Sequence, residues 1–234
     1  METIMEGKAL TKTYGEGETL ITAIDHINFS IGKGELVVIL GQSGAGKSTL
    51  LNLIGGMDRV SSGELIVDGE DIAKYNKLQL TLYRRKKIGF VFQFYNLMAN
   101  LTARENVEIA TEMCKNSLDP TETLCSVGLQ ERLDNFPAQL SGGEQQRVSI
   151  ARAIAKNSDF ILCDEPTGAL DYETGKEILT LLEKQAHEKG KTVIIVTHNS
   201  ALAEMADHLL RIKNGTIVLD ERNESPKSIA EIEW

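Results

Sequence analysis

A chain of 234 residues, 41% hydrophobic and 25% charged, is long enough for one large domain with a sizeable core and an ordinary polar surface. Its formal net charge of −9 argues against a broad nucleic-acid surface, which needs many cations to displace counterions. No stretch approaches the ~18 apolar residues of a membrane span, and the first residues lack the basic-then-apolar pattern of a secretion signal. Cys114, Cys125 and Cys163 sit in no metal-ligand spacing, so reduced, partly buried thiols in a cytosolic setting are expected.

In chain order, the alternation of Ile27 to Ile31 predicts a half-buried strand. Leu36 to Leu40 is a short continuous apolar run, as are Ile88 to Phe92, Phe160 to Cys163 and Thr192 to Thr197. These four are too short for typical helices and rich in β-branched or aromatic residues. They are predicted as strands buried on both faces of a mainly parallel sheet, with helical crossovers, in an α/β fold. Glu64 to Gly69 predicts a strand ending in a turn. Leu209 to Lys213 and Thr216 to Leu219 flank Asn214-Gly215, a strong hairpin signal. An antiparallel subsheet is expected against the parallel core. Roughly residues 94–158 read as mostly helical, a lobe inserted into a single domain spanning 1–234. Within it Thr102 and Glu105 form a capping box, and Asp119-Pro120 sets a cap before a proline at the first helical position. The polar stretch from Glu221 to Trp234 is assigned no role.

Gly41-Gln42-Ser43-Gly44-Ala45-Gly46-Lys47-Ser48 fits G-x-x-x-x-G-K-[ST], placed between a predicted strand and the apolar Leu50 to Ile54 of a helix. The glycines let the backbone curl so that successive N–H groups, through Ser43, Gly44, Ala45 and Gly46, converge on phosphate oxygens. The helix start adds its positive dipole end. Lys47 is expected on the β- and γ-phosphates, Ser48 on Mg²⁺, and Thr49 on a further phosphate oxygen. The metal needs an acidic partner. Phe160 to Cys163 lifts Asp164 and Glu165 to the C-terminal end of a strand, where α/β sheets bind ligands. Asp164 is expected to hold the metal through water, and Glu165 to polarise the attacking water. Leu140-Ser141-Gly142-Gly143-Glu144-Gln145 then opens a helix carrying Val148, Ile150, Ala151 and Ile154. Ser141 and Glu144 make a capping box, and two bare glycines leave a second anion-ready helix start. One ATP is already held at the first loop, so this second start implies phosphate contact from another copy.

With these three elements the chain resembles the ATP-binding-cassette ATPases over nearly its whole length. Leu140 to Glu144 matches the family signature, in its place between the phosphate loop and Asp164. The resemblance implies an ATPase, ATP and Mg²⁺ as ligands, and a homodimer that brings Ser141, Gly143 and Glu144 of one copy onto the ATP of the other. It also implies that Tyr14 stacks on adenine, Gln93 contacts Mg²⁺ and water and begins the helical lobe, Asp171 meets the opposite subunit, and His198 touches the γ-phosphate. His26, His187 and His208 receive no such role and are expected at the surface or core edge. Arg84-Arg85-Lys86-Lys87 is expected as a solvated helix end, with acidic lipid or a partner loop as the alternative.

Within the family, Thr13 to Glu18, Gly89 to Gln93, Leu101 to Val107 and Asp164 to Asp171 are similar to the macrolide-export and lipoprotein-release group. The similarity implies export or extraction of a drug, antimicrobial peptide or lipoprotein. A separate membrane permease subunit of few spans would do that work, with the ATPase peripheral at the cytoplasmic face. Glu144 where glutamine is common, and Met98-Ala99-Asn100 where Leu-Leu-Pro is common, depart from that group. The alternatives are a DNA-repair or a translation ATPase. The first would carry a long coiled coil, a zinc insertion or a DNA-binding surface, and the second usually two fused cassettes. Sustained heptads, cysteine pairs and a second phosphate loop are all absent from the sequence.

Overall fold

The computed structural model describes residues 2–112 and 114–233. Two sheets organise them. Thr3–Tyr14 (β1), Ile21–Gly32 (β2), Ser62–Val67 (β4) and Glu70–Asp71 (β5) form an antiparallel sheet of order β2-β1-β4-β5. Leu36–Leu40 (β3), Ile88–Val91 (β6), Phe160–Asp164 (β7), Thr192–Thr197 (β8), His208–Lys213 (β9) and Thr216–Arg222 (β10) form the second, of order β10-β9-β3-β8-β7-β6. Its five strands from β9 to β6 run parallel, and β10 returns antiparallel on the edge. The predicted hairpin therefore exists, with Lys213 opposite Thr216, but it extends the parallel sheet instead of joining the antiparallel one.

The parallel sheet is apolar on both faces because each face has its own core. Leu36, Val38, Ile161, Cys163, Val193 and Ile195 point to one, and Val37, Ile39, Phe160, Leu162, Ile194 and Val196 to the other. The second face packs on the antiparallel sheet and on Lys47–Ile54 (α1), whose Leu50, Leu51, Leu53 and Ile54 are buried. Each such side chain stabilises by about 1.5–3 kcal/mol, so the loop ahead of α1 sits on a firm element. The remaining helices are Lys77–Lys87 (α2), Ala103–Thr111 (α3), Pro120–Ser126 (α4), Gly142–Ala155 (α5) and Tyr172–His187 (α6), of which α3 to α6 supply the first core. The caps expected at Thr102, Asp119 and Ser141 are all made, and Asn76 with Gln79 forms another capping box at α2.

The stretch from 94 to 158 is less helical than expected, since an irregular loop follows Gln93 up to α3. Tyr95 and Asn96 adopt φ of 60° and 50°, which a right-handed helix cannot accommodate. Arg152 holds their carbonyls, at 2.9 and 2.6 Å, and the buried Asn106 amide binds the carbonyls of Met98, Leu101 and Thr102. Backbone groups a helix would pair internally are thus satisfied by side chains.

His208 is not at the surface or the core edge. It is fully buried at the N-terminal end of the parallel strands, with Nε2 2.7 Å from Asp220 Oδ1 and Nδ1 3.5 Å from Glu35 Oε2, an ionic contact too long for a good hydrogen bond. Arg222 pairs with the other Glu35 oxygen, and the Gly32 amide donates to Glu35 at 2.6 Å. The basic run is partly internal too. Arg84 donates to the Gly56 carbonyl, and Lys87 binds both Asp68 and Asp159 at 2.8 Å.

Candidate functional site

The order β3-β8-β7-β6 places four strand ends side by side, and each delivers one chemical group. β3 leads into the loop 41–46, β8 ends at His198, β7 ends at Asp164 and Glu165, and β6 runs into Gln93. Groups far apart in sequence therefore meet at one edge, the ligand edge of an α/β sheet.

The phosphate loop is shaped by a constraint at Gly46, the N-cap of α1. Its φ is 108°, and a side chain there would stand 2.6 Å from the Ala23 carbonyl, so only glycine fits. Lys47, on the first turn, is 6% exposed, donates to the Gln42 carbonyl at 3.1 Å, and lies 3.9 Å from Glu165 Oε1. A buried ammonium with one carbonyl and one distant carboxylate has donor capacity to give an anion. Ser48 Oγ donates to Asp164 Oδ1 at 3.0 Å. Burial raises the Asp164 pKa above its ordinary value; the Ser48 hydrogen bond opposes this, and the neighbouring Glu165 charge adds to it. A hydroxyl and a partly buried carboxylate facing each other, beside an open glycine cradle, fit a divalent cation and a triphosphate.

Glu165 has φ of 48°, unusual for a residue other than glycine. Its amide donates to the Val196 carbonyl at 2.9 Å and its carbonyl accepts from Gly168 at 3.1 Å, which offsets a cost of about 1–3 kcal/mol. That turn aims the carboxylate at His198, whose Nδ1 is 3.0 Å from Oε1. The Gln93 amide lies over Gly168, where an added methyl would be 3.5 Å from Nε2. Lys47, Ser48, Asp164, Glu165, His198 and Gln93 are thus brought together.

Tyr14 is placed beside the same loop. Its hydroxyl donates to Asp58 at 2.7 Å and is itself reached by the Thr49 hydroxyl, and Lys12 Nζ stands 4.7 Å from the ring centroid. Burial, followed by the Asp58 carboxylate, pushes its phenol pKa up. The ring stays 42% exposed, open to a planar ligand.

Ser141, Gly143 and Glu144 are elsewhere. Ser141 and Glu144 cap each other, at 3.2 and 2.8 Å, and Glu144 also accepts from Arg132 at 2.8 Å. Among the described residues no hydrogen bond or ion pair joins them to residues 41–49. Glu144, tied to Arg132, has its carboxylate oxygens committed, so the anion-ready groups of this turn are its amides and the Ser141 hydroxyl. Asp171 caps α6, accepting from the Thr174 amide at 3.0 Å. Lys12, Asp58, Arg132 and Arg152 escaped the sequence reading. Each matters through a contact formed only by folding, and no local pattern signals it.

The comparisons agree with this geometry. Residues 24–168 match the model of the family described as ABC transporter. An uncharacterized ABC transporter ATP-binding protein of Thermotoga maritima is 44% identical over 227 residues, covering 95% of this chain and 97% of its own. The macrolide export ATP-binding/permease protein MacB of Shewanella sp. (strain ANA-3) is 45% identical over 94% of this chain. The alignment takes in 34% of that protein, so the chain spans about a third of the MacB relatives it matches. The ATP-binding cassette MJ0796, solved as a dimer in a post-hydrolysis state bound to ADP and Pi, superposes with a TM-score of 0.87 at 42% identity, over 95% of this chain and 100% of that one. CbiO1 from Clostridium perfringens, part of the ABC transporter complex cbiONQ, gives 0.82 at 29% identity, over 95% and 89%. With its phosphate loop, its Asp164-Glu165 strand end and a separate capped signature turn, the chain belongs to the ABC transporter family, as one of its ATP-hydrolysing cassettes.

Proposed function

We propose that two copies of this chain pair head to tail and power a membrane permease that exports or extracts its substrate. Each ATP would lie between Tyr14, Lys47, Ser48 and Thr49 of one copy and Ser141 and Gly143 of the other, in a closed symmetric arrangement. The observation carrying this is the signature turn itself, capped and anion-ready but unconnected to its own phosphate loop. The dimeric form of MJ0796 supports it.

Ser48, Asp164 and Gln93 are the residues that would hold Mg²⁺, which supplies charge neutralisation to the β- and γ-phosphates. Glu165 orients the attacking water and accepts its proton, with His198 holding the carboxylate and contacting the γ-phosphate. Lys47 and the amides of Ser43 to Gly46 take up developing phosphoryl charge from one side, and the signature amides from the other.

A MacB-like role is supported by similarity along 94% of the chain, and those relatives carry ATPase and permease in one protein. Among the described residues no helix is long and apolar enough to cross a membrane. The span would come from a permease of few spans, with this cassette peripheral at the cytoplasmic face. Phe94, 77% exposed on the loop after Gln93, is the docking candidate, because motion of Gln93 would reach a partner there. Drug, antimicrobial-peptide and lipoprotein substrates all fit this role.

Glu165→Gln is expected to bind ATP yet run as a dimer in gel filtration with ATP and as a monomer with ADP. Hydrolysis by that variant at the wild-type rate would remove Glu165 from its role.

A further inference from the structure

The segment after β10 takes no part in the site, yet one helix connects the two. Ile229 and Ile232 are 1% and 2% exposed and join the core that α6 lines. Glu183 accepts from the Ile229 amide at 3.3 Å, Lys176 Nζ donates to the Ala230 carbonyl at 2.9 Å, and the Tyr172 hydroxyl donates to the Ile232 carbonyl at 3.3 Å. Positions 172, 176 and 183 share one helix face, so residues 229–232 lie antiparallel along α6 and reach its first turn.

The opposite face of those same turns meets the signature helix. Thr174 lies so close to Gly143 that an added side chain there would stand 2.4 Å from its methyl. Arg147 reaches Glu177 at 2.7 Å. At about 100° per residue, Lys176 lies roughly 40° from Tyr172 around the helix, whereas Glu177 and Thr174 lie roughly 140° and 160° away. The first two turns of α6, with Asp171 as their cap, are held between residues 229–232 on one side and the signature turn on the other.

We propose that Ser228–Ile232 is a strap that, through α6, sets the position of Gly143 and Asp171 on the face offered to a second copy. Tyr172, Lys176 and Ile232 are then positioning residues for ATP hydrolysis. This rests on the paired-cassette reading above. The strap acts on turnover and cooperativity between sites, and leaves binding of ATP to a copy's own phosphate loop unchanged.

The test compares Lys176→Met, Lys176→Arg and Ile232→Ser in the full chain. It reads kcat, KM and the Hill coefficient for ATP, together with binding of a fluorescent ATP analogue. A small displacement of a site element can cost up to 10²-fold, so Lys176→Met and Ile232→Ser are expected to lower kcat about tenfold and to reduce the Hill coefficient. Analogue affinity should stay within about twofold, and Lys176→Arg, which keeps a donor, should recover most of kcat. Ile232→Ser opens the core, so Lys176→Met, on a half-buried side chain, decides the matter if the former fails to fold. A folded Lys176→Met with wild-type kcat and Hill coefficient overturns the strap, as does parallel loss of analogue binding. Glu165→Gln separates the two readings. If it fails to dimerise with ATP, the paired cassette falls and the strap with it. If it dimerises while Lys176→Met changes nothing, only the strap falls.

Discussion

The two ends of the parallel sheet carry nearly the same chemical groups and use them in opposite ways. At the C-terminal end Glu165 lies 3.0 Å from His198 and 3.9 Å from Lys47. At the other end Glu35 lies 3.5 Å from His208 and pairs with Arg222. Each is a glutamate between a histidine and a fixed cation. The differences are closure and saturation. His208 and Glu35 are 0% and 2% exposed and Glu35 has a backbone amide, a guanidinium and an imidazole around it. His198 is 68% exposed, and among the described residues Lys47 has one carbonyl at hydrogen-bonding distance. A closed cluster, with a partner on each Glu35 oxygen, fastens β2, β3, β9 and β10 together; the open one leaves its groups within reach of the proposed nucleotide. Identical residue types therefore say little until their partners are counted.

The largest effect that separates the ends is expected from Lys47→Met. It keeps a straight side chain of similar volume in a buried position and removes the ammonium. Removing one charge-stabilising donor commonly costs 10²–10³-fold in rate, so steady-state ATP turnover should fall by at least about that factor. Stability should hold or rise slightly, because the ammonium has little to satisfy it in the absence of phosphate. A urea midpoint lowered together with activity would contradict the division of labour between the two ends.

Glu35→Gln is the converse and next in size. The neutral amide leaves His208 and Arg222 facing each other without their shared counter-charge. Breaking a buried ion pair costs about 3–5 kcal/mol, and the lower figure applies because Arg222 remains half in water. Urea unfolding should show that loss, while ATP turnover per folded molecule stays close to wild type. A variant as stable as wild type would mean that the cluster holds nothing together.

The open end was legible in the sequence and the closed end was not, for a physical reason. Gly41 to Ser48 and Ser141 to Glu144 are continuous stretches, as the proposed phosphate contacts through successive amides require, since adjacency in space then demands adjacency in sequence. Asp164 and Glu165 were found because a buried apolar strand announces its own end. Glu35, His208, Asp220 and Arg222 stand up to 187 residues apart, and the registers of β3 against β9 and of β9 against β10 bring them together. Lys12, Asp58 and Tyr14 were split in the same way by the β1–β4 pairing, leaving only the tyrosine visible. The central parallel strands β3, β6, β7 and β8 were read well, since burial on both faces leaves an unbroken apolar run, whereas β1, with its polar residues interleaved, was not read as a strand. The loop after Gln93 was read as helix because its mostly apolar sequence, Phe94 to Thr102, carries no mark of the positive φ angles that Arg152 and Asn106 accommodate.

The smallest effect concerns pH and sharpens the contrast at the closed end. Burial disfavours a charged His208, but the carboxylates of Glu35 and Asp220 outweigh it and raise its pKa above 6.5. Burial likewise opposes the charged Glu35, and His208, the Gly32 amide and Arg222 together bring its pKa below 4.5. The signs follow from linkage. A raised histidine contributes stability that is complete below its unfolded value near 6.5 and fades as pH rises through the folded value. A lowered glutamate contributes stability that is complete above its unfolded value near 4.5 and fades as pH falls through the folded one. Both are whole between those limits. The measurement is the difference in urea midpoint between wild type and His208→Gln across pH. It should be largest near pH 6 and shrink toward pH 9, as the raised His208 gives up its proton. A difference that is flat from pH 6 to 9 would mean that His208 is neutral in the folded protein, held by Asp220 through a single hydrogen bond, and that only Arg222 balances Glu35.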